Sequence, residues 1–337
     1  MAAANVPSFQ LNNGTSMPSV GLGCWMGTPS EGGEDVYCMV QAALKHGYRH
    51  IDTAFAYGNE KIIGKAIRES GVPREEIFVT TKLSQSYHED VLNAFNESLK
   101  NFDIGYIDLY LMHWPQAFKR VKDINTVTVT VVQPEEHPTI IDTWLDMEKL
   151  LETGKLKSIG VSNFSIKTLE QLLAKATVTP VTNQVELHPC LPQNDLKEYC
   201  EGKGILLTAY SPIGNPDPEH MTLLQEPVVV EIAEKTKSST GQVLISWAVQ
   251  RGTAVIPKSA KEARIQQNIA LVTLSEADMK ALNEIHLKPG MHRSLARFHG
   301  RGKVFGWTYE QLGWSLDNDG AVINNEEQPN VVLPTAL

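Results

Sequence analysis

The sequence is poor in cysteine, and its cysteines lie far apart. Cys24, Cys38, Cys190 and Cys200 show no CxxC spacing, so neither a zinc site nor a dense disulfide framework is predicted. Free thiols are typical of a reducing compartment. We therefore expect a cytoplasmic protein.

Basic residues are in the minority. The chain has 30 Lys and Arg against 39 Asp and Glu, which gives a formal net charge of -9. Five of the acidic residues follow Lys303, after which no Lys or Arg occurs. Sequence-independent binding to nucleic acid requires a basic surface that displaces counterions, so we expect no nucleic-acid partner.

Long uncharged apolar runs are absent as well, and the N-terminal stretch MAAANVPSFQLNNG lacks a basic segment followed by an apolar one. Neither membrane insertion nor export is predicted. A chain of 337 residues with 42% hydrophobic and 20% charged residues fits an ordinary globular protein. We expect a single domain over 1–337, with a barrel at about 7–288 and a C-terminal loop and tail at about 289–337.

The chain does contain a rhythm of short apolar runs, each followed by a segment with helical periodicity. Before the first run, Asn-Gly in SFQLNNGTSMP predicts a small β-hairpin. The strand candidates lie at 20–25, 48–54, 77–83, 107–113, 156–163, 181–187, 205–212 and 254–259. Eight strands that alternate with helices predict parallel pairing, and the closed arrangement is the (β/α)8 TIM barrel, an α/β fold.

An open doubly wound sheet is the alternative fold, but it requires a Gly-rich phosphate loop after its first strand. The candidate VGLGCWMG lacks the GxGxxG spacing. Two segments fit no repeat: the insertion at 116–139, after the fourth strand, and the tail from about Pro289. Because barrel enzymes bind substrate at the carboxyl ends of their strands, we predict that the insertion and the first half of the tail wall a pocket.

Polar or aromatic side chains stand at the carboxyl end of nearly every predicted strand. They are Trp25, Asp52, Lys82, His113, Ser162 with Asn163, Gln184, Tyr210 with Ser211, and Lys258 with Ser259. In a barrel these positions converge on one mouth. The sequence therefore predicts one site built from residues far apart in the chain.

Asp52 ends an apolar run and needs a partner to offset its desolvation. Lys82 is the natural partner, and Tyr57 follows on the next loop. A phenol near an ammonium has its pKa lowered, which suits a proton donor, and His113 is placed to orient a carbonyl oxygen. Each residue alone has an ordinary structural explanation, such as a capping Asp or a Lys that reaches solvent; their occurrence at successive strand ends favours catalysis.

Eight motifs occur in an order and spacing that resemble the aldo-keto reductases, across about residues 7–285. They are GLGCW, HIDTAFAYGNE, TTKL, LYLMHWP, IGVSNF, NQVELHP, AYSP and IPKSAKEARIQQN. The fungal aldehyde, sugar and glycerol dehydrogenase-like members look most similar, partly from the tail FGWTYEQLGW. The resemblance implies that Tyr57 is the general acid, that Asp52 and Lys82 tune it, and that His113 positions the substrate carbonyl.

The resemblance also implies the cofactor NADPH/NADP+, from which hydride passes directly to the carbonyl carbon without a metal. The implied cofactor residues are Ser162, Asn163 and Gln184 at the nicotinamide amide, Tyr210 stacked on the ring, Ser211, Ile213 and Asn215 in a loop over the pyrophosphate, Lys258, Ser259 and Arg264 at the 2'-phosphate, and Gln267 and Asn268 at the adenine. Gln267 stands where the family commonly has Glu, which leaves the fine cofactor preference open.

Trp25, Trp114 and Phe118, with His113, are the predicted substrate residues, and the tail offers Phe298, His299 or Trp307. Small aldehydes, aldoses and simple ketones all fit, with reversal as an alcohol or polyol dehydrogenase, in a monomer or homodimer. One alternative is an NADPH-binding regulatory or partner-binding barrel with little turnover. Another is a metal-dependent hydrolase that uses Asp52, His113 and His188.

Overall fold

The computed structural model describes residues 6–27, 33–122, 127–215, 222–296 and 302–323. Within these ranges the strands are Ser8–Gln10 (β1), Ser16–Pro18 (β2), Leu22–Gly23 (β3), His50–Asp52 (β4), Phe78–Leu83 (β5), Ile107–Met112 (β6), Phe118–Lys122 (β7), Val127–Val131 (β8), Leu156–Ser162 (β9), Thr182–Glu186 (β10), Leu206–Tyr210 (β11), Ala254–Val255 (β12), Lys303–Val304 (β13) and Trp307–Thr308 (β14). The α-helices are Glu34–Lys45 (α1), Glu60–Glu69 (α2), Val91–Phe102 (α3), Ile140–Lys149 (α4), Ile166–Leu173 (α5), Asn194–Gly202 (α6), Pro227–Thr236 (α7), Thr240–Gln250 (α8), Glu262–Ile269 (α9), Glu276–Asn283 (α10) and Tyr309–Leu312 (α11).

Eight parallel strands form one sheet, in the order β3-β4-β5-β6-β9-β10-β11-β12. Its two edges meet through a parallel bridge between Val20 and Val255, and the Gly21 N–H donates to the Val255 carbonyl at 2.8 Å. A Cβ on Gly23 would lie 2.6 Å from the Ile256 carbonyl oxygen, so glycine permits this close approach. The sheet is a closed barrel, and the (β/α)8 prediction is confirmed.

Each of the eight predicted apolar runs contains one barrel strand, and the strands in the first and the last runs are the shortest. Ladder pairing covers two residues in β3 and two in β12. Pro257 has no N–H to donate to a ladder, which accounts for the early end of β12. The residues of both runs that follow the strands belong to the loops that carry Trp25 and Lys258.

The helices cover the outside of the barrel, and several begin with a reciprocal cap. At α4 the Thr139 hydroxyl accepts from the Asp142 N–H, and the Asp142 carboxylate accepts from the Thr139 N–H. The same arrangement begins α5, α8 and α10, where it satisfies N–H groups that have no partner inside the helix. Among the described residues, no helix is both long and apolar enough to cross a membrane.

The predicted N-terminal hairpin, β1 with β2, closes the amino end of the barrel. Leu11 and Met17 are buried against the barrel residues Leu109 and Leu111. The Asn13 side chain donates to the Ser158 hydroxyl at 2.9 Å. With this end covered by the hairpin, the carboxyl ends of the strands form the other mouth.

The insertion after β6 forms an antiparallel hairpin, β7 with β8, which the sequence analysis did not predict. The tail adds a second small hairpin, β13 with β14. The two are joined by hydrogen bonds from the Gln116 amide to the Val304 carbonyl at 2.9 Å and from the Trp307 indole to the Val132 carbonyl at 2.7 Å. Insertion and tail therefore pack on each other beside the mouth.

Candidate active site

Asp52 and Lys82 form a buried ion pair at the ends of the neighbouring strands β4 and β5. The Lys82 Nζ lies 2.6 Å from Asp52 Oδ1 and also donates to the Thr53 carbonyl at 2.7 Å. Lys82 is 0% exposed and Asp52 is 1% exposed. These two bonds use two of the three ammonium N–H groups, so one N–H is left for another acceptor.

The second oxygen of Asp52 accepts from Gln184, which comes from β10. The Gln184 Nε2 lies 2.7 Å from Asp52 Oδ2. Gln184 is predicted from the sequence to bind the nicotinamide amide, but in this structure its N–H donor is turned to the carboxylate. Both Asp52 oxygens thus have a donor, which lowers the cost of burying the charge.

Tyr57 lies on a short 3-10 turn, Phe55–Tyr57, directly after β4. Buried Asn59 fixes this loop: its oxygen accepts from the Thr53 hydroxyl at 2.6 Å and its amide donates to the Cys24 carbonyl at 2.9 Å. The Lys82 Nζ lies 5.3 Å from the centre of the Tyr57 ring. The phenol and the ammonium are therefore neighbours.

The pKa of Tyr57 is raised above its ordinary value, so the prediction of a lowered pKa is wrong for this structure. Burial is the main cause, and the charge of Asp52 adds to it. The prediction considered the ammonium alone. Since Asp52 neutralises Lys82, the phenol faces an ion pair rather than a free cation, and desolvation of the phenolate outweighs the attraction.

His113 follows β6 and faces Tyr57, with ring centres 5.7 Å apart. Burial and the charge of Lys82 hold the pKa of His113 well below its ordinary value, so the imidazole is neutral. Its buried Nδ1 has no hydrogen-bond partner among the described residues. A buried N–H without an acceptor is costly, which favours a proton on Nε2 and leaves that atom as a donor.

Aromatic rings surround these side chains. The Trp25 ring lies 4.8 Å from Tyr57, and the Trp114 ring lies 6.4 Å from His113. From the tail, Phe305 and Trp314 approach Trp114 to 4.9 and 6.1 Å. Neither residue was predicted individually from the sequence, although both are aromatic residues of the tail, whose first half was predicted to wall the pocket.

The other predicted substrate residues differ in position. Phe118, at the start of β7, lies 6.2 Å from Phe305 and belongs to the same aromatic wall. Trp307 is only 3% exposed and donates to the insertion, so it anchors the tail rather than facing the mouth. Phe298 and His299 lie outside the described residues.

Asn163 connects the predicted nicotinamide residues. Its amide donates to the His113 carbonyl at 2.9 Å, and its oxygen accepts from the Tyr210 hydroxyl at 2.9 Å. The Ser162 hydroxyl donates to the Gln184 carbonyl at 2.8 Å. Asn163 has φ 66°, a left-handed conformation that Asn tolerates better than most residues. The structure thus brings these residues together beside His113.

A cavity of about 260 Å³ lies next to this group. Asn163, Tyr210 and Glu186 line it from the barrel, and Ser294 and Trp314 line it from the C-terminal part of the chain. Tyr57 and His113 do not line it. The cavity therefore adjoins the Tyr57–His113 site rather than containing it.

The residues assigned to the adenosine phosphate stand apart, after β12 and on α9. Lys258 and Arg264 are exposed, and neither forms an ion pair with another described residue. Ser259 is buried and accepts from the Lys261 N–H at 3.1 Å. Two unpaired cations at the start of a helix suit a phosphate group. Gln267 is exposed and Asn268 is nearly buried on the same helix.

The loop after β11 holds Ser211, Ile213 and Asn215, the residues assigned to the pyrophosphate. Ser211 has φ 48° and accepts from the Gly214 N–H at 2.9 Å. Because β11 and β12 are neighbouring strands, this loop lies between Tyr210 and the residues after β12.

His188 does not join Asp52 and His113 in a ligand group. It is buried, and its Nε2 lies 2.9 Å from Glu186 Oε1. Within the described ranges, no group of three or more His, Cys, Asp or Glu residues could hold a metal ion. The metal-dependent hydrolase alternative loses its proposed ligand set.

The fold and the site define a TIM-barrel protein with a polar and aromatic site at the carboxyl ends of its strands. A family model described as the aldo/keto reductase family matches residues 19–287. The chain belongs to the aldo/keto reductase family.

Individual relatives agree with this assignment. Glycerol 2-dehydrogenase (NADP(+)) of Saccharomyces cerevisiae is 46% identical over 295 residues, 85% of this chain and 92% of the relative. Aldehyde reductase YPR1 of the same yeast is 42% identical over 308 residues, 88% of this chain and 96% of the relative. A crystal structure of an aldo/keto reductase from Brucella melitensis has a TM-score of 0.71 and 40% identity, covering 83% of this chain and 99% of that one.

Proposed function

We propose that this protein is an NADPH-dependent reductase of aldehydes, aldoses or simple ketones, with Tyr57 as the proton donor. The observation that carries the proposal is the buried Asp52–Lys82 pair, 2.6 Å apart, beside the Tyr57 ring. The Tyr57 ring in turn faces His113. A spare N–H on this ammonium can stabilise a neighbouring group that becomes negative. The Tyr57 phenol is such a group.

The raised pKa of Tyr57 fits an acid that stays protonated at neutral pH. The His113 Nε2–H donates to the substrate carbonyl oxygen and holds it near the phenol. As negative charge develops on that oxygen, the proton moves to it from the Tyr57 hydroxyl. Lys82 stabilises the phenolate that forms, and Asp52 holds the ammonium in place.

The cofactor would be held by the residues around Tyr210, by the loop Ser211–Asn215 and by Lys258 and Arg264. When bound, NADPH supplies the hydride that the carbonyl carbon receives. Asn163 and Ser162 would hold the carboxamide, and Gln184 can serve it only if its amide leaves Asp52. Lys258 and Arg264 supply positive charge for a 2'-phosphate, which favours NADPH over NADH.

The same residues can run the reaction in reverse, with the Tyr57 phenolate accepting the proton of an alcohol. The named relatives include a glycerol 2-dehydrogenase and an aldehyde reductase, so small polyols and aldehydes are the substrate class of choice. The single-domain organisation, the cytoplasmic location and a monomeric or dimeric state stay predictions from the sequence.

A steady-state screen tests the proposal. Purified protein is given glyceraldehyde, xylose, a glucuronate-like sugar acid and an aromatic aldehyde, each with NADPH and with NADH in parallel. We expect oxidation of NADPH with at least one aldehyde and weaker use of NADH. Tight NADPH binding without turnover on any substrate would instead support the regulatory barrel.

A further inference from the structure

Glu186, the last residue of β10, takes no part in the proposed reaction, yet it collects four polar contacts. Its oxygens accept from His188 Nε2 at 2.9 Å, from the Ser294 hydroxyl and from the Leu295 N–H at 2.7 Å. Its own carbonyl accepts from the Gln193 amide at 3.1 Å. Two of these donors belong to one segment, residues 294–296, which follows the barrel.

Glu186 is 5% exposed, so these hydrogen-bond donors, rather than water, stabilise the negative charge of its carboxylate. Burial raises the pKa of Glu186, but the bond and charge of His188, with Ser294 and the Leu295 N–H, outweigh burial and leave the pKa below its ordinary value. Hydrogen bonds to a buried charge are stronger than those between neutral groups. The contact between Glu186 and the segment is therefore a strong one.

The segment in turn touches the loop after β11. A Cβ placed on Gly214 would lie 2.8 Å from Leu295 Cδ1, so the Leu295 side chain lies against the Gly214 backbone. Gly214 has φ 71° and belongs to the loop Ser211–Asn215. Glu186 and Tyr210 are register partners at the ends of β10 and β11. The residues that follow β10 and the loop Ser211–Asn215 therefore lie side by side.

We propose that Glu186 is a positioning residue that holds segment 294–296 against the loop Ser211–Asn215 and so slows the release of NADPH. This inference rests on the proposed function, because the loop retains a cofactor only if one is bound. The chain of contacts runs from Glu186 to the Leu295 N–H, and from the Leu295 side chain to Gly214. Each of these two contacts can be removed separately.

The segment has other attachments, so loss of Glu186 loosens it without releasing it. The Ser294 N–H donates to the Gly320 carbonyl at 2.8 Å, and the Arg293 N–H donates to the Cys190 carbonyl at 3.0 Å. Glu186→Ala is therefore expected to fold. Glu186→Gln keeps one acceptor and serves as the conservative variant.

The matched control is Asp278→Asn. Asp278 is also a largely buried carboxylate with several donors: it caps α10 through Ser275 and pairs with Lys235 at 2.7 Å. Asp278 touches none of the residues that link Glu186 to the loop Ser211–Asn215. A variant there loses stability in a similar way without acting on the cofactor loop.

The first measurement is hydrogen–deuterium exchange of the Leu295 amide in the protein without cofactor. Glu186→Ala should exchange about tenfold faster or more, the range expected for a lost bond to a charged group, and Glu186→Gln should lie nearer the wild type. Asp278→Asn should leave this amide unchanged. An unchanged exchange rate in Glu186→Ala overturns the inference.

The second measurement is the dissociation rate of NADPH, followed by the loss of its protein-bound fluorescence. Glu186→Ala should release NADPH about tenfold faster, the factor that corresponds to about 1.4 kcal/mol. Leu295→Ala should also release it faster while its own amide stays protected, because its N–H still donates to Glu186. Unchanged release in either variant, or equally faster release in Asp278→Asn, overturns the inference.

The two proposals fail in different ways. Wild-type protein that binds no NADPH refutes the proposed function, and this inference falls with it. Wild-type protein that binds and oxidises NADPH, with normal release from Glu186→Ala, refutes this inference alone.

Discussion

The substitution Lys82→Met tests whether Asp52 and Lys82 stabilise each other as a buried ion pair. Methionine fills similar space but removes the ammonium, so Asp52 loses its 2.6 Å partner and keeps only the Gln184 amide. Both residues are almost fully buried. Leaving a buried charge without its partner costs about 3–5 kcal/mol, a large share of the roughly 5–15 kcal/mol that stabilises a domain.

A double variant separates the cost of the lone charge from the loss of the pair. Asp52→Asn with Lys82→Met removes both charges but leaves an acceptor for Gln184. Because neutral replacements of buried pairs are often tolerated, we expect the double variant to regain most of the lost stability, within about 1–2 kcal/mol of the wild type. Turnover should stay low in both, since neither has the ammonium beside Tyr57.

Urea unfolding at pH 8 gives the free energies of unfolding. The assay needs the wild type, both single variants and the double variant, so that the coupling energy can be calculated. Two results refute the reasoning: a Lys82→Met protein as stable as the wild type, or a double variant no more stable than Lys82→Met.

Two further predictions concern the cofactor and pH. Lys258→Met combined with Arg264→Met should raise the NADPH Kd about tenfold or more by removing charge-assisted bonds, with the NADH Kd unchanged; titration of both cofactors checks this, and equal weakening would contradict it. Burial lowers the pKa of His88 to about 3, so the unfolded chain binds the extra proton below pH 6.5 and stability is lost as the pH falls. Between pH 6.5 and 5 the free energy of unfolding falls by about 2 kcal/mol for this reason. Urea unfolding of His88→Gln at both pH values should show a correspondingly smaller fall. A fall as large as that of the wild type would exclude His88 as its source.

The barrel could be predicted because its signals are local. Each of the eight apolar runs is short, is bounded by polar or turn residues, and is followed by a helical period, and the order of such runs determines the topology. The ion pair was predictable for a similar reason. A carboxylate at the end of a buried strand requires a partner, and Lys82 stands at the end of the next strand.

Other features depend on contacts that no local pattern reports. The pKa of Tyr57 depends on its burial and on the neutralisation of Lys82 by Asp52. The hairpin in the insertion had a signal in the alternation of TVTVTVV, which the sequence analysis did not use. The position of Phe305 against Trp114 and the bonds of Glu186 to residues 294–296 join segments more than one hundred residues apart.

The most direct test of the central claim is Tyr57→Phe, which removes one hydroxyl and keeps the ring beside Trp25. NADPH Kd is measured by fluorescence, and kcat is measured with the best aldehyde from the screen. The account predicts a kcat lower by about 10²–10⁴-fold with an unchanged Kd for NADPH. A Tyr57→Phe protein that turns over at the wild-type rate would contradict it.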